Sequence, residues 1–182
     1  MYQNVVKRRL GFSRSLAALV LLSASIAAAQ QFPRLEEENL NGQRVVLPDA
    51  AAGKVAVLVL GFSHASQKPT EAWARRTLDT FGKNSGFVLY QLAVLEDAPR
   101  FIRGMIIARI KKGVPESQRP TFLPVVHQAE ELKKLVAWKK DAEDDAYILV
   151  LDRAGKVAYQ THSPTPDTGF ATLQSNVTAL LK

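Results

Sequence analysis

Residues 57–73 read VLVLGFSHASQKPTEAW: an apolar run, a loop of small and polar residues, then a segment with helical spacing. An apolar run without alternation marks a strand covered on both faces. It reaches back to Lys54, so a strand is predicted over 54–60. From 69 to 81, Ala74, Leu78 and Phe81 share one helical face with Trp73 at its margin, while Arg75, Arg76 and Asp79 fall elsewhere. Gly82 and Gly86 bracket the end of this helix. A buried strand turning sharply into a helix is a frequent seat for a reactive group. The candidates at this junction are Ser63, His64 and Ser66.

Upstream, QRVVL (43–47) is a short strand ending at Pro48, and Asn41-Gly42 before it is a turn signal. Downstream, FVLYQLAVL (87–95) is a second buried strand, followed by a basic, apolar helix over 99–112. A short strand over 122–126 and a helix over 129–138 follow, the latter with Leu132, Leu135 and Val136 on one side. AYILVL (146–151), the turn 152–155 and 156–160 form a hairpin. A last helix is predicted from Thr165 as N-cap and Pro166 at the first position, with Phe170, Leu173, Val177 and Leu180 as its stripe. Helices alternating with fully apolar strands define an α/β fold: a mostly parallel sheet between helix layers, closed by an antiparallel hairpin and a C-terminal helix.

Three stretches carry a resemblance to the thioredoxin-like superfamily, in its redoxin and peroxiredoxin branch: FPRLEEENLNGQRVVLP, KVAVLVLGF and AYILVLDRAGKVAY. The resemblance spans residues 32–182 and implies a thioredoxin-like three-layer sandwich. The LNG…LP opening and the SQ…W loop are also similar to the assembly factors of mitochondrial ATP synthase that share this fold. In the superfamily a nucleophilic Cys stands at the end of the first long strand, where a helix N-terminus favours the thiolate. Here that loop is Ser63-His64-Ala65-Ser66-Gln67, and the chain has no cysteine. The proline that precedes the hairpin strand in relatives is replaced by Asp144-Asp145. Thiol-disulfide or peroxidase chemistry by the family's mechanism is therefore excluded, and no cofactor is expected.

The same loop approximates the hydrolase elbow G-x-S-x-G, with Asp152 and His162 following Ser63 in the order of an α/β-hydrolase triad. Ala65 replaces the second Gly, and too little sheet precedes the strand for a hydrolase fold. The plainer reading of Ser63 and Ser66 is capping of the helix behind them. His64, His127 and His162 raise metal carriage without cysteine, but they lie on separate segments, and surface histidines are expected. Residues 141–145 (DAEDD) lack the spaced ligands and Gly of a calcium loop and read as a hydrated surface loop.

Lys7, Arg8, Arg9 and Arg14 precede LAALVLLSASIAAA (16–29), a basic leader and short apolar core ending in small residues. This is the pattern of a secretory signal cleaved near Ala29, leaving one domain over 30–182 in the periplasm or outside the cell. The whole chain holds 24 basic and 17 acidic residues. Without the four leader cations, 20 stand against 17, a net +3. Nucleic-acid binding needs a clustered cationic excess, so none is expected. In FIRGMIIARIKKG (101–113), Ile102, Met105, Ile106 and Ile110 are read as a core stripe. Phe101 and Ile107 widen that sector, and cations surround it. Such a helix covers the sheet, or else meets a membrane surface or a partner.

The function these features imply is an exported, non-catalytic binding protein for another protein, an assembly factor or chaperone-like module of the envelope. Its expected contact residues are Ser63, His64, Ser66, Gln67, Lys68, Trp73 and Met105. The alternatives are a serine hydrolase using Ser63 and a cysteine-free metal carrier.

Overall fold

The computed structural model describes residues 30–182, so the predicted leader lies outside the described residues. Strands β1 (Leu35–Glu38) and β2 (Arg44–Leu47) form a separate antiparallel hairpin. The residues alone pointed only to the second of these. In β1 the burial alternates, Leu35 and Glu37 inward and Glu36 and Glu38 outward, over too few residues to be distinctive. Asn39 organises the turn: its Oδ1 accepts from the N–H groups of Asn41 and Gln43, and its amide donates to the Pro120 carbonyl.

The main sheet comprises β3 (Val55–Gly61), β4 (Phe87–Val94), β5 (Phe122–Val125), β6 (Ala146–Leu151) and β7 (Val157–Ser163), in spatial order β5-β4-β3-β6-β7. Strands β3, β4 and β5 pair in parallel, and β6 is antiparallel to both β3 and β7. Four of the five strands thus run one way, and the hairpin β6–β7 closes one edge. Helices α1 (Gln67–Phe81), α2 (Arg100–Gly113), α3 (Ala129–Leu135) and α4 (Phe170–Leu181) complete the chain.

Because strand side chains alternate between faces, β3 and β6 feed two cores at once. Val55, Val57 and Val59 of β3, with Ala146, Ile148 and Val150 of β6, face Trp73, Ala74 and Phe81 of α1 and Phe170, Leu173 and Val177 of α4. On the opposite face, Ala56, Leu58 and Leu60 join Tyr147, Leu149 and Leu151. Leu132 and Leu135 of α3, together with Phe32, Leu35 and Leu47 around the β1–β2 hairpin, cover that second face. Helix α2 belongs to neither core, since no residue of it is buried.

Several expectations are corrected. Helix α1 starts at Gln67, because Pro69 within its first turn forfeits only an N–H that would be unpaired there. Trp73 is fully buried at the centre of the α1 face, where its indole N–H donates to the Ser163 carbonyl at 3.3 Å. It is a core residue and not a surface contact. Leu78 is only partly buried, and Thr77 takes an inward position instead.

Helix α3 ends at Leu135, three residues short of Trp138, as Ala137 takes a φ of +50° and turns the chain. Helix α4 starts at Phe170, because Thr165 and Pro166 sit in a turn closed by Ser163 Oγ donating to the Thr165 carbonyl at 2.8 Å. Gly169, at φ +100°, then directs the chain into the helix. Met105 is 68% exposed and Phe101 87%, so neither belongs to a core stripe. The inner side of α2 is formed by Ile102, Ile106, Ile107 and Ile110, and these are only half-buried.

Candidate functional site

The end of β3 meets the start of β6 and the end of β7, and there the loop 63–68 closes on itself. Ser66 Oγ donates to the Ser63 carbonyl at 2.7 Å, while the Ser66 N–H donates to Ser63 Oγ at 3.0 Å. Ser66 stands at the N-cap position of α1 but makes no side-chain cap, so the expected capping role is replaced by this reciprocal turn. A side chain at position 61 would be incompatible with it: a Cβ on Gly61 would lie 2.5 Å from Ser66 Oγ. Glycine at the strand end is thus required by the tucked hydroxyl.

The free hydrogen of Ser63 goes to Asp144 Oδ1 at 2.5 Å. The next residue, Asp145, receives His162 Nδ1 at 2.8 Å. The His162 ring stacks on Tyr147 with centroids 5.1 Å apart, the two residues being cross-strand partners on β7 and β6. Tyr147 in turn meets Phe62 edge-on at 5.4 Å, and Phe62 leans toward Trp138 at 6.5 Å. Two acidic side chains therefore hold the hydroxyl of the β3 loop and the imidazole of β7, over an aromatic floor. The Tyr147 hydroxyl accepts the Lys139 N–H at 3.0 Å. Burial, aided by the nearby charges of Asp145 and Asp141, raises its pKa above the ordinary phenol value.

The predicted site residues separate into groups. His64, Gln67 and Lys68 are exposed on the rim of the loop, Ser63 is half-buried, and Ser66 is only 1% exposed. Ser66 is thus internal framing, a correction to its place among the contacts. Met105 lies on α2, apart from both hydrogen-bonded pairs.

The Ser63–Asp152–His162 triad does not assemble. Asp152 sits in the β6–β7 turn, where its Oδ1 accepts from Ala154 N and Lys156 N, both at 2.9 Å. His162 is at the other end of the hairpin. Ser63 bonds a carboxylate and no imidazole, whereas an activated serine needs the base at its oxygen.

The metal-carrier alternative meets a similar obstacle, since among the described residues no group of three or more His, Asp or Glu side chains is placed to hold a metal ion. His127 lies far along the fold, beside Glu37 in a groove of about 400 Å³ that Ile107, Pro124 and Val126 also line. Glu37 Oε1 there accepts from Val126 N and His127 N at 2.8 and 3.0 Å, tying β1 to the end of β5.

Sequence reasoning missed Asp144, Asp145 and Tyr147. The signal was present: Asp144-Asp145 replaces the proline that the family resemblance puts opposite the loop, yet the acidic run 141–145 read as solvated.

No family model matches the chain, and no curated protein matches it. Solved structures do. BsSco, a member of the Sco family of cytochrome c oxidase assembly proteins, superposes with a TM-score of 0.57 at 14% identity over 85% of this chain and 95% of its own. A peroxiredoxin-like protein from Aquifex aeolicus gives 0.53 at 15% identity, over 84% and 86%. The thioredoxin domain of a thiol-disulfide oxidoreductase from Bacteroides vulgatus gives 0.51 at 19%, over 84% and 99%. The chain therefore has the thioredoxin-like fold, in a form without cysteine.

Proposed function

We propose that this is an exported, non-catalytic thioredoxin-fold protein that acts by holding a protein partner in the cell envelope, as an assembly factor or chaperone-like module. One observation carries the reading. Where a thioredoxin-like protein presents its sulfur, this chain presents a hydroxyl locked between a backbone N–H and Asp144. The loop keeps its shape, and the exposed His64, Gln67 and Lys68 offer a rim for contact. That one structural neighbour belongs to a family of assembly proteins supports the same direction. Among the described residues no helix is long and apolar enough to cross a membrane, so the domain would meet a membrane from its surface, through α2.

The test is photo-crosslinking in the native envelope. A benzophenone amino acid at position 64 should yield a discrete adduct that the same label at the exposed Lys83 does not. Identical adduct patterns at both positions would defeat the reading. So would purified protein that reduces insulin or destroys peroxide above a heat-killed control. Labelling of Ser63 by a fluorophosphonate would move the assignment to hydrolysis.

A further inference from the structure

We propose that α2 docks on an anionic lipid surface, with Phe101 and Met105 entering the headgroup layer and Arg100, Arg109, Lys111 and Lys112 lying among its phosphates. This names the surface for the membrane contact in the reading above and rests on that contact alone.

Residues three, four and seven apart lie on one side of a helix. Phe101, Gly104, Met105, Ala108 and Lys112 thus form an outward row, all of them exposed. Arg100 and Lys111 border the row on one side and Arg109 on the other. The half-buried Ile102, Ile106, Ile107 and Ile110 occupy the opposite side, toward the protein. A Cβ added at Gly104 would meet nothing within 4 Å, so the outward face is bare and the two large apolar side chains stand proud of it.

The helix contains no acidic residue. Among the described residues Arg100, Arg109, Lys111 and Lys112 form neither ion pair nor side-chain hydrogen bond. Arg103 is the exception, since it donates to the Glu96 and Ala98 carbonyls and anchors the helix start.

The size of the patch selects the occupant. Phe101 and Met105 are the only exposed large hydrophobic residues among those described. A stable protein interface removes roughly 800 Å² from each partner around a buried apolar centre, and the remaining large apolar side chains of α2 are half-buried on its opposite side. A headgroup layer needs less: a few apolar side chains to a shallow depth and flexible cations that reach phosphate.

Because the chain has no cysteine, one introduced thiol reports one place. The full chain carrying Met105→Cys, labelled with an environment-sensitive nitrobenzoxadiazole, is mixed with vesicles containing about one-third phosphatidylglycerol in phosphatidylcholine. The label should shift to the blue and brighten, lose the effect in roughly 0.5 M salt, and stay unchanged on phosphatidylcholine alone. The same label at Lys83 should not respond. Replacing Arg109 and Lys112 by Gln should weaken the half-saturation roughly twenty-five-fold, at about fivefold per cation.

A label at 105 that stays water-like on both vesicles overturns the proposal, and so does an equal response with and without the anionic lipid. Both hold even if the leader itself binds vesicles, because the probe reads α2. The vesicles contain no protein, so this result and the crosslinking at position 64 can fail independently.

Discussion

Helices α1 and α2 do the same topological work. Each connects two neighbouring parallel strands, β3 to β4 and β4 to β5, and they are nearly equal in length at 15 and 14 residues. Yet α1 buries Trp73, Ala74, Thr77 and Phe81 while α2 buries nothing. The difference lies in which strands each helix reaches across. The face that α1 covers is shared only with α4, and both fit. Helix α2 instead leads from β4 to β5, the strand at the sheet's edge, and no residue of it enters either core. A crossover helix left out of the core is free to carry surface chemistry.

The largest expected effect tests that contrast directly. Trp73→Ala removes a fully buried indole and its bond to Ser163, and should cost about 3–5 kcal/mol of unfolding free energy. Phe101→Ala, a change of similar kind on α2, should stay within about 0.5 kcal/mol. Urea unfolding of both variants measures the gap. A Phe101→Ala penalty approaching that of Trp73→Ala would mean that α2 is packed, and the docking argument would fall with it.

How far the sequence reveals this can be followed residue by residue. The strands β3, β4 and β6 were legible because each is apolar nearly throughout, Gln91 of β4 being the one strongly polar residue, a pattern that burial on both faces produces. The α2 stripe misled because helical periodicity reports that a face is apolar, not whether anything covers it. The covering of the second face by residues 32–47 is a long-range fact that no local window contains. The same limit hid half of the site. Ser63 could be found from its junction, but Asp144 lies 81 residues away, and only the register of β6 against β3 brings it within 2.5 Å. Thr165-Pro166 resembled a helix start because the local chemistry of an ST turn and of an N-cap is the same.

The loop itself can be probed at an intermediate scale. Gly61→Ala would place a methyl against Ser66 Oγ, costing about 1–3 kcal/mol. Ser66→Ala alone breaks the reciprocal turn and should cost about 1–2 kcal/mol. Combined, the two should cost less than their sum by about 1 kcal/mol, because the second change removes the atom that the first collides with. Rescue will be partial, since Thr70 Cγ2 would still lie 3.1 Å from the new methyl. Strict additivity would show that the hydroxyl is not tucked beneath the strand end. The α2 variants should show no coupling to either change.

The smallest effect separates the two regions by pH. Burial first, and the Asp145 and Asp141 charges next, hold the Tyr147 phenol neutral above its ordinary range, and burial does the same to Tyr90. For a group whose folded pKa is raised, the stabilisation is complete below the unfolded value. It is lost as pH rises through the folded value, since the unfolded chain releases the proton first. Unfolding free energy should therefore fall with pH above about 10, each phenol contributing up to one proton to the slope. Tyr147→Phe should flatten that slope while lowering stability at neutral pH by about 1 kcal/mol, because the Lys139 N–H loses its acceptor. Phe101→Ala should leave the alkaline profile as it is. If Tyr147→Phe keeps the wild-type slope, the phenol is not held neutral beneath His162. The aromatic floor would then be open to water, and the hydroxyl-carboxylate pairing above it would have no rigid support.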